Sequence, residues 1–237
     1  MLQTVNLTKR YEDDVLALDH LSLEVSEGEI FCLLGANGAG KTTTINLFLN
    51  FIEPTEGTAL INGIDVNKDP LEAKGYVSFV SENVMLYGNF TARQNLDYFA
   101  RLGGKKDLTK EDYYRHMRKV GLQEEAFEMR LKNFSKGMRQ KLGITIAIIK
   151  NAPNVLLDEP TAGLDPKAAA EFIKILKDLR EQGKSILMCT HDIFRAKEIA
   201  DRVGIMKEGK LVMLRNREEF MEEDLEKIYL EYMQEAV

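Results

Sequence analysis

The chain of 237 residues has no tryptophan, two cysteines, three histidines and five prolines. Cys32 and Cys189 both lie within apolar runs, so we expect them to be small core residues and not a disulfide or metal ligands. None of the histidines stands at the spacing that a zinc site with these cysteines needs. A disulfide-stabilised scaffold and a zinc module are therefore both disfavoured.

Long apolar runs are also missing. No segment approaches the ~18 consecutive apolar residues that a membrane-spanning helix needs. The first six residues also lack the basic start and apolar stretch of a secretory signal. We therefore expect a cytoplasmic protein with room for a sizeable core, since 44% of its residues are hydrophobic.

The chain also has no excess of positive charge. The net charge is −6, which disfavours broad nucleic-acid binding, and we expect no nucleic-acid partner. Residues 218–237 hold eight acidic residues and one lysine, so the rest of the chain is close to neutral. The acidity belongs to a C-terminal tail, at about residues 216–237.

One glycine-rich stretch stands between an apolar strand-like segment, 30–34, and a helix-like segment, 44–49. It fits the pattern G-x-x-x-x-G-K-[ST] of a phosphate-binding loop, in which glycines let several N–H groups face one anion. The helix start adds partial positive charge. Lys41 is expected to reach the β- and γ-phosphates, and Thr42 to place its hydroxyl on magnesium. The predicted nucleotide-binding residues of this loop are Gly35, Ala36, Asn37, Gly38, Ala39, Gly40, Lys41, Thr42 and Thr43.

Elsewhere the chain shows β structure first, then helices, then strands and helices in alternation. The first thirty residues and a hairpin at Asn62-Gly63 predict β structure, and about 84–150 predicts a helical insert. Thr91 and Gln94 are placed to form a capping box there. The later alternation favours a parallel sheet covered on both faces. Its predicted strands are 155–157, 185–189, 203–206 and 211–214, and its predicted helices are 166–182 and 193–200.

Two carboxylates, Asp158 and Glu159, directly follow the apolar segment 155–157. In an open parallel sheet the carboxyl ends of strands face the ligand crevice. Asp158 therefore suits magnesium, and Glu159 suits the base that deprotonates an attacking water, a role typically worth ~10²–10⁴ in rate. An acidic pair taken alone is as often a solvated turn, but the phosphate loop favours the catalytic interpretation.

Two further residues are ambiguous when taken alone. Ser135 is placed to cap a helix of the insert, and a lone serine there is usually only a cap. His191 follows the predicted strand 185–189, where it can meet a γ-phosphate, although a lone histidine is more often a packing residue.

Taken in order, these motifs resemble the nucleotide-binding subunit of an ATP-binding-cassette (ABC) transporter. The phosphate loop, the Asp158-Glu159 pair, the segment 162–165 and His191 follow one another as in that family, over about residues 1–215. The resemblance implies a single α/β domain, 1–237, with a P-loop NTPase fold. That fold has a RecA-like parallel-sheet core, an N-terminal antiparallel β subdomain and an inserted helical subdomain.

The resemblance also implies that two cassettes, as a homodimer or as an unlike pair, bind two ATP molecules head to tail. Each ATP would contact the phosphate loop of one chain and Ser135 and Gly137 of the other. Tyr11 occupies the place of the aromatic that stacks on adenine, with an ordinary strand aromatic as the alternative. Glu159, His191 and Lys41 would form the catalytic set, with ATP and Mg²⁺ as cofactors.

Two motifs depart from the family pattern. Residues 134–138 read Phe-Ser-Lys-Gly-Met where Leu-Ser-Gly-Gly-Gln is usual, a form similar to export-type cassettes of the ABC-2 class. Glu82 stands where the family has a glutamine that ligates magnesium and couples to the membrane partner. A carboxylate still ligates magnesium, so the expected metal ligands are Thr42, Asp158 and Glu82.

The predicted function is therefore an ATPase subunit that powers transport, in the export direction, through a separately encoded permease at the cytoplasmic face of the membrane. A candidate permease-binding groove follows Glu82, although such apolar runs are more often core. Its residues are Met85, Leu86, Tyr87 and Phe90.

The main alternative function is a soluble ABC ATPase that serves as a scaffold or assembly factor. A phosphate-loop GTPase or small-molecule kinase lacks support, because the Asn-Lys-Asp-Pro run at 67–70 misses the guanine-reading Asn-Lys-x-Asp motif by one position.

The acidic tail carries an apolar stripe at helical spacing. We expect it to pack on its own domain, with a dimer or partner contact as the alternative. The stripe consists of Leu225, Ile228, Tyr229, Tyr232 and Met233.

Overall fold

The computed structural model describes residues 1–234, whose strands form two sheets. The strands are β1 (Leu2–Arg10), β2 (Leu16–Val25), β3 (Ile30–Leu34), β4 (Glu56–Ile61), β5 (Ile64–Asp65), β6 (Val77–Val80), β7 (Asn154–Asp158), β8 (Ser185–Thr190), β9 (Arg202–Lys207) and β10 (Lys210–Asn216). The helices are α1 (Lys41–Phe48), α2 (Pro70–Gly75), α3 (Ala92–Leu102), α4 (Lys110–Lys119), α5 (Lys136–Lys150), α6 (Pro166–Glu181), α7 (Ile193–Ile199), α8 (Arg217–Glu222) and α9 (Leu225–Gln234).

The smaller sheet is antiparallel, in the order β2-β1-β4-β5, and forms the predicted N-terminal β subdomain. The predicted hairpin joins β4 to β5 through Asn62 and Gly63, whose φ angles are 51° and 79°. Two consecutive positive φ angles are typical of the type I′ turn, whose twist matches that of the flanking strands. Residues at the turn therefore set the register of this edge.

The larger sheet has the order β10-β9-β3-β8-β7-β6. The strands from β9 to β6 are parallel, and β10 pairs antiparallel with β9 at one edge. Every residue of β3 and β8 is buried. Cys32 faces a core shared with the helical insert, α6 and α7, and Phe31 faces a second core shared with α1 and the smaller sheet. Burial on both faces explains why these strands are continuous apolar runs.

The helical insert, predicted at about 84–150, contains α3, α4 and α5 between β6 and β7. Thr91 and Gln94 form the predicted capping box: the Thr91 N–H donates to Gln94 Oε1 at 2.8 Å, and the Gln94 N–H donates to Thr91 Oγ1 at 3.2 Å. Leu142 and Ile144 of α5 are fully buried in the core that the insert shares with the larger sheet. The insert is thus packed firmly on the parallel sheet through α5.

The C-terminal tail folds back on the same domain as α8 and α9. Leu225 is fully buried, and Ile228, Tyr229 and Tyr232 pack on the core beside the larger sheet. Lys207 Nζ donates to the Tyr232 carbonyl at 2.7 Å. These contacts agree with the predicted packing of the tail on its own domain. The side chain of Met233, the last member of the stripe, lies outside the described residues, as does the segment 235–237.

No helix within residues 1–234 is both long enough and apolar enough to cross a membrane.

Candidate nucleotide-binding site

Four neighbouring strands of the larger sheet carry candidate residues at their carboxyl ends. In the order β3-β8-β7-β6, these ends lead to the phosphate loop, His191, Glu159 and Glu82. Because the strands are parallel, all four segments meet at one edge of the sheet, as ligand sites of α/β folds do. A cleft of about 300 Å³ at this edge is lined by Ala36, Asn37, Gly38, Gly40, Lys41, Thr42, Thr43, Glu82, Asp158 and Glu159.

The phosphate loop is held close to neighbouring backbone, which restricts two of its positions to glycine. A Cβ at Gly35 would lie 2.7 Å from the Met206 carbonyl oxygen. A Cβ at Gly40 would lie 2.6 Å from the Ala17 carbonyl oxygen, and Gly40 has φ 108°. Both contacts are too short for any side chain. The following helix, α1, starts at Lys41, three residues earlier than predicted.

The start of α1 differs from the starts of the other long helices. Its N-cap, Gly40, offers no side-chain hydrogen bond. By contrast, Thr91, Ser135 and Asp165 cap α3, α5 and α6 with their side chains. The first N–H groups of α1 therefore have no side-chain acceptor and, with the helix dipole, favour a bound anion.

Lys41 is 5% exposed and lies at the base of the cleft. Its Nζ donates to the carbonyl oxygens of Gly35 at 2.6 Å and Ala36 at 3.2 Å. The same atom lies 3.7 Å from Glu159 Oε1. A buried ammonium needs such partners, and here they hold the positive charge at the start of α1.

Asp158 and Thr42 meet across the cleft, where Thr42 Oγ1 donates to Asp158 Oδ1 at 3.4 Å. Burial raises the pKa of Asp158; the hydrogen bond from Thr42 lowers it, and the negative charge of Glu159 raises it further. The ionised carboxylate is therefore poorly stabilised by the protein alone, and a cation beside it would be favourable.

The oxygen atoms of Thr42 and Asp158 suit Mg²⁺ bound together with phosphate better than a metal ion bound by protein side chains alone. Within residues 1–234, no three His, Cys, Asp or Glu side chains are grouped to hold an ion. Magnesium needs no such cage, because it keeps waters and takes one or two carboxylates together with phosphate oxygens. Thr42 and Asp158 supply that partial set, while the carboxylate of Glu82 is engaged by Lys136 Nζ at 3.3 Å.

Glu159 has a left-handed backbone, φ 46°, which is uncommon for a residue with a side chain. Its N–H donates to the Cys189 carbonyl at 2.9 Å. Its Oε2 accepts from Thr190 Oγ1 at 3.1 Å and from the His191 N–H at 3.3 Å. His191 Nδ1 lies 2.9 Å from Oε1. The carboxylate is thus fixed in the cleft by the end of β8.

Thr190 is a site residue that the sequence prediction omits. Its hydroxyl donates to Glu159 and also accepts from the Asp192 N–H at 3.0 Å. The one available signal was its position at a strand end immediately before His191.

Tyr11 follows β1, is 37% exposed, and has its hydroxyl 3.5 Å from Thr43 Oγ1. It therefore stands beside the phosphate loop, as its predicted role requires.

Ser135 and Gly137 lie elsewhere, and the chain does not bring them to Lys41. The Ser135 hydroxyl accepts from the Met138 N–H at 3.2 Å, so it caps α5. Both residues line a separate cleft of about 240 Å³, together with Asp165 at the start of α6. One chain thus carries two clefts with helix starts, one at the phosphate loop and one at Ser135.

The chain was compared with known proteins. The profile of the ABC transporter family matches residues 18–162. The uncharacterized ABC transporter ATP-binding protein YhcH of Bacillus subtilis is 35% identical over 217 residues, which cover 91% of this chain and 70% of YhcH. The bacitracin transport ATP-binding protein BcrA of Bacillus licheniformis is 37% identical, over 90% of this chain and 68% of BcrA.

Among solved structures, the dimeric post-hydrolysis state of the ATP-binding cassette MJ0796, bound to ADP and Pi, matches with a TM-score of 0.83. It is 28% identical, and the match covers 92% of this chain and 99% of that one. Motif order, sheet topology and these matches agree, and the chain belongs to the ABC transporter family.

Proposed function

We propose that this chain is the ATP-binding and hydrolysing subunit of a transporter, and that it drives export through a separate membrane permease. One observation carries the ATPase part: Lys41, Thr42, Asp158 and Glu159 line a single cleft at the uncapped start of α1. Membership of the family, and the likeness to a cassette solved with ADP and Pi, agree with ATP binding and hydrolysis.

In this proposal the triphosphate of ATP binds over the phosphate loop. The free N–H groups at the start of α1 and the ammonium of Lys41 bind phosphate oxygens, which are the anions that such a helix start favours. Tyr11, beside Thr43, contacts the adenine ring.

Thr42 and Asp158 would hold Mg²⁺, with Glu82, which lines the same cleft, as a third candidate ligand. The ion would supply positive charge that neutralises the charge developing on the phosphates during transfer.

Glu159 acts as the general base. A water molecule attacks the γ-phosphorus, its proton moves to the Glu159 carboxylate, and the bond from the γ-phosphorus to the bridging oxygen breaks to release ADP and phosphate. Thr190 and the His191 backbone hold Oε2, so Oε1 is the oxygen that takes the proton. The ring of His191, beside Oε1, orients that carboxylate and contacts the γ-phosphate.

A second cassette completes the site. Ser135 and Gly137 line their own cleft, so one chain offers ATP only the wall at Lys41. Head-to-tail pairing places the Ser135 helix start of one chain against the ATP held by the other, and two helix dipoles then act on one triphosphate. The relative MJ0796 was solved as a dimer.

An apolar surface on the helical insert is the proposed permease contact. Met85 is 86% exposed and Leu102 is 68% exposed, and Tyr87, Phe90 and Tyr98, which lie between them in the sequence, are exposed as well. Their rings form a cluster, with Tyr87 centred 5.2 Å from Phe90 and 5.0 Å from Tyr98. Contiguous exposed apolar surface of this kind marks interaction sites.

Leu86 does not belong to this surface, because it packs against the core. The proposal therefore keeps only the three exposed members of the predicted groove, Met85, Tyr87 and Phe90.

The permease contact is tested with Met85→Asp combined with Leu102→Asp, in a chain co-expressed with each multi-span membrane protein found in the neighbouring reading frames. If a candidate permease co-purifies with the parental chain, we expect it to be lost from the complex of the double variant while ATP binding is retained. The control is Leu71→Asp, a leucine on α2 that is 84% exposed and lies outside the insert. Unchanged co-purification of the double variant with the permease would remove this surface from the proposal. If the parental chain hydrolysed ATP but co-purified with no membrane protein, the scaffold alternative would be favoured.

A further inference from the structure

Two of the residues that depart from the usual motifs of the family, Lys136 and Glu82, contact each other. Lys136 is the first residue of α5, and Glu82 follows β6. Lys136 Nζ donates to Glu82 Oε1 at 3.3 Å. The glycine and glutamine usual at these positions have no charges with which to form such a pair, so the two departures act together in this chain.

Glu82 stands between two clefts. It lines the cleft of the phosphate loop with Thr42 and Asp158, and it also lines an adjacent groove of about 400 Å³ with Lys136 and Arg139. The side chain of Glu82 therefore borders both clefts, and its carboxylate has a candidate partner in each, Lys136 in one and a cation beside Asp158 in the other.

The backbone at Glu82 is anchored independently of Lys136. Gln140 of α5 is almost fully buried, and its Nε2 donates to the carbonyl oxygens of Ser81 at 3.1 Å and Glu82 at 2.6 Å. Since these bonds hold the loop, the carboxylate of Glu82 can change partner without unfolding the segment around it.

Lys136 also touches the segment that follows the catalytic base. A Cβ at Gly163 would lie 3.3 Å from Lys136 Nζ and 3.6 Å from its Cδ, so the lysine stem crosses a position that carries no side chain. Lys136 thus joins three segments: the start of α5, the loop of Glu82, and residues 162–165.

A divalent cation in the cleft would attract the Glu82 carboxylate away from Lys136. Glu82, Asp158 and Glu159 line the cleft that holds Lys41, so a divalent cation entering there attracts all three carboxylates. The pair is accessible, with 36% of the Lys136 side chain and 45% of the Glu82 side chain exposed, so its net strength is small. Lys136 can therefore compete for Glu82 without locking it.

We propose that Lys136 is a positioning residue that draws the Glu82 carboxylate away from the metal position and yields it when Mg²⁺ and ATP bind. The proposal rests on the proposed function, because it requires Mg-ATP in this cleft. Under this proposal, the Mg²⁺ concentration that ATP binding requires depends on Lys136, at the start of α5 and beside Ser135.

The test is a magnesium titration of fluorescent-ATP binding, carried out in a Glu159→Gln background so that hydrolysis does not interfere. Lys136→Met, Glu82→Gln and the combination of both are compared with the background chain. Removing Lys136 frees Glu82, so we expect Lys136→Met to lower the Mg²⁺ concentration for half-maximal binding by about 1.5- to 5-fold, the range of an exposed ion pair. In the Glu82→Gln chain the same change should have no effect.

Arg139→Met is the matched control, because Arg139 lines the same groove and its hydrogen bond goes to the Leu131 carbonyl instead of Glu82. If Lys136→Met shifted the Mg²⁺ requirement equally with Glu82 and with Glu82→Gln, the effect would be one of general charge and the proposed pairing would be overturned. No shift with either residue at position 82 would also overturn it. Lys136→Gln gives a second variant with the same expected shift if the methionine chain folds poorly. Failure of the Glu159→Gln chain to bind ATP at any Mg²⁺ concentration would contradict the proposed function itself.

Discussion

Replacing Glu159 with glutamine tests the proposed chemistry most directly, because the amide nearly preserves the shape of the side chain. The glutamine oxygen can take the place of Oε2 and accept from Thr190 Oγ1 and the His191 N–H, now at 3.1 and 3.3 Å. The amide nitrogen then replaces Oε1, which lies 2.9 Å from His191 Nδ1 and 3.7 Å from Lys41 Nζ. The side chain stays in position but can no longer accept a proton.

The expected loss follows from that single change. A positioned general base contributes ~10²–10⁴ in rate, or about 3–5 kcal/mol of the activation barrier. Glu159→Gln should slow ATP hydrolysis by that factor. It also removes one negative charge beside Lys41, which favours the triphosphate, so ATP affinity should be retained or increased. ATP therefore persists in the cleft, and the proposed dimer accumulates.

Three measurements on one preparation separate these effects: phosphate release in a single turnover, binding of a fluorescent ATP analogue, and mass by sedimentation with and without ATP. Glu208→Gln is the matched control. Glu208 also has a left-handed backbone, φ 49°, but lies exposed in the turn between β9 and β10. It should hydrolyse ATP at the parental rate. Parental hydrolysis by the Glu159→Gln chain would refute the assignment of the base, and a slow but monomeric chain would refute the pairing.

Four further outcomes are expected. Lys41→Ala should weaken fluorescent-ATP binding by about 10- to 100-fold, through loss of a charge-assisted hydrogen bond to phosphate. Burial raises the pKa of Asp158 above 3.8, so the ionised carboxylate destabilises the nucleotide-free fold. Asp158→Asn should therefore raise the melting temperature at pH 7. This gain should vanish as the pH falls below 3.8, where the carboxyl is protonated in both the folded and the unfolded chain. Ser135→Ala should lower the free energy of unfolding by ~0.5–2 kcal/mol through the lost cap and reduce ATP-dependent dimerisation, with ATP binding to the single chain unchanged. Phe220→Ala, at a fully buried position in α8, should lower the free energy of unfolding in urea by ~3–5 kcal/mol if the tail is part of the folded domain.

Local sequence patterns predicted the elements well wherever a short-range rule applies. The hairpin at Asn62-Gly63 and the capping box at Thr91 both formed where the residues indicated. The short helix α2 was not predicted, although Asp69 and Pro70 supply an N-cap and a first-turn proline, because six residues are too few for a periodic pattern. The start of α1 was placed three residues late for a related reason: the loop motif itself runs into the helix.

The candidate site was predictable to the extent that its residues lie in compact motifs. The loop 35–43 and the Asp158-Glu159 pair are contiguous, and their chemistry follows from residue type and from the preceding strand. Thr190 was not predicted as a site residue, because a threonine at the end of a strand forms no distinctive sequence pattern. Its role depends on β8 lying between β3 and β7, which is a long-range pairing.

By itself, the sequence determined which residues are candidates for the chemistry and which segments become most of the strands and helices, because glycine freedom, apolar runs and caps act over a few residues. Only the tertiary structure decided which of those segments meet. The order β3-β8-β7-β6 brings four distant loops to one edge, separates Ser135 from Lys41, and places Lys136 against Glu82, 54 positions away in the chain. Strand order and helix packing follow from how all the apolar faces are buried together, and no local pattern contains that information.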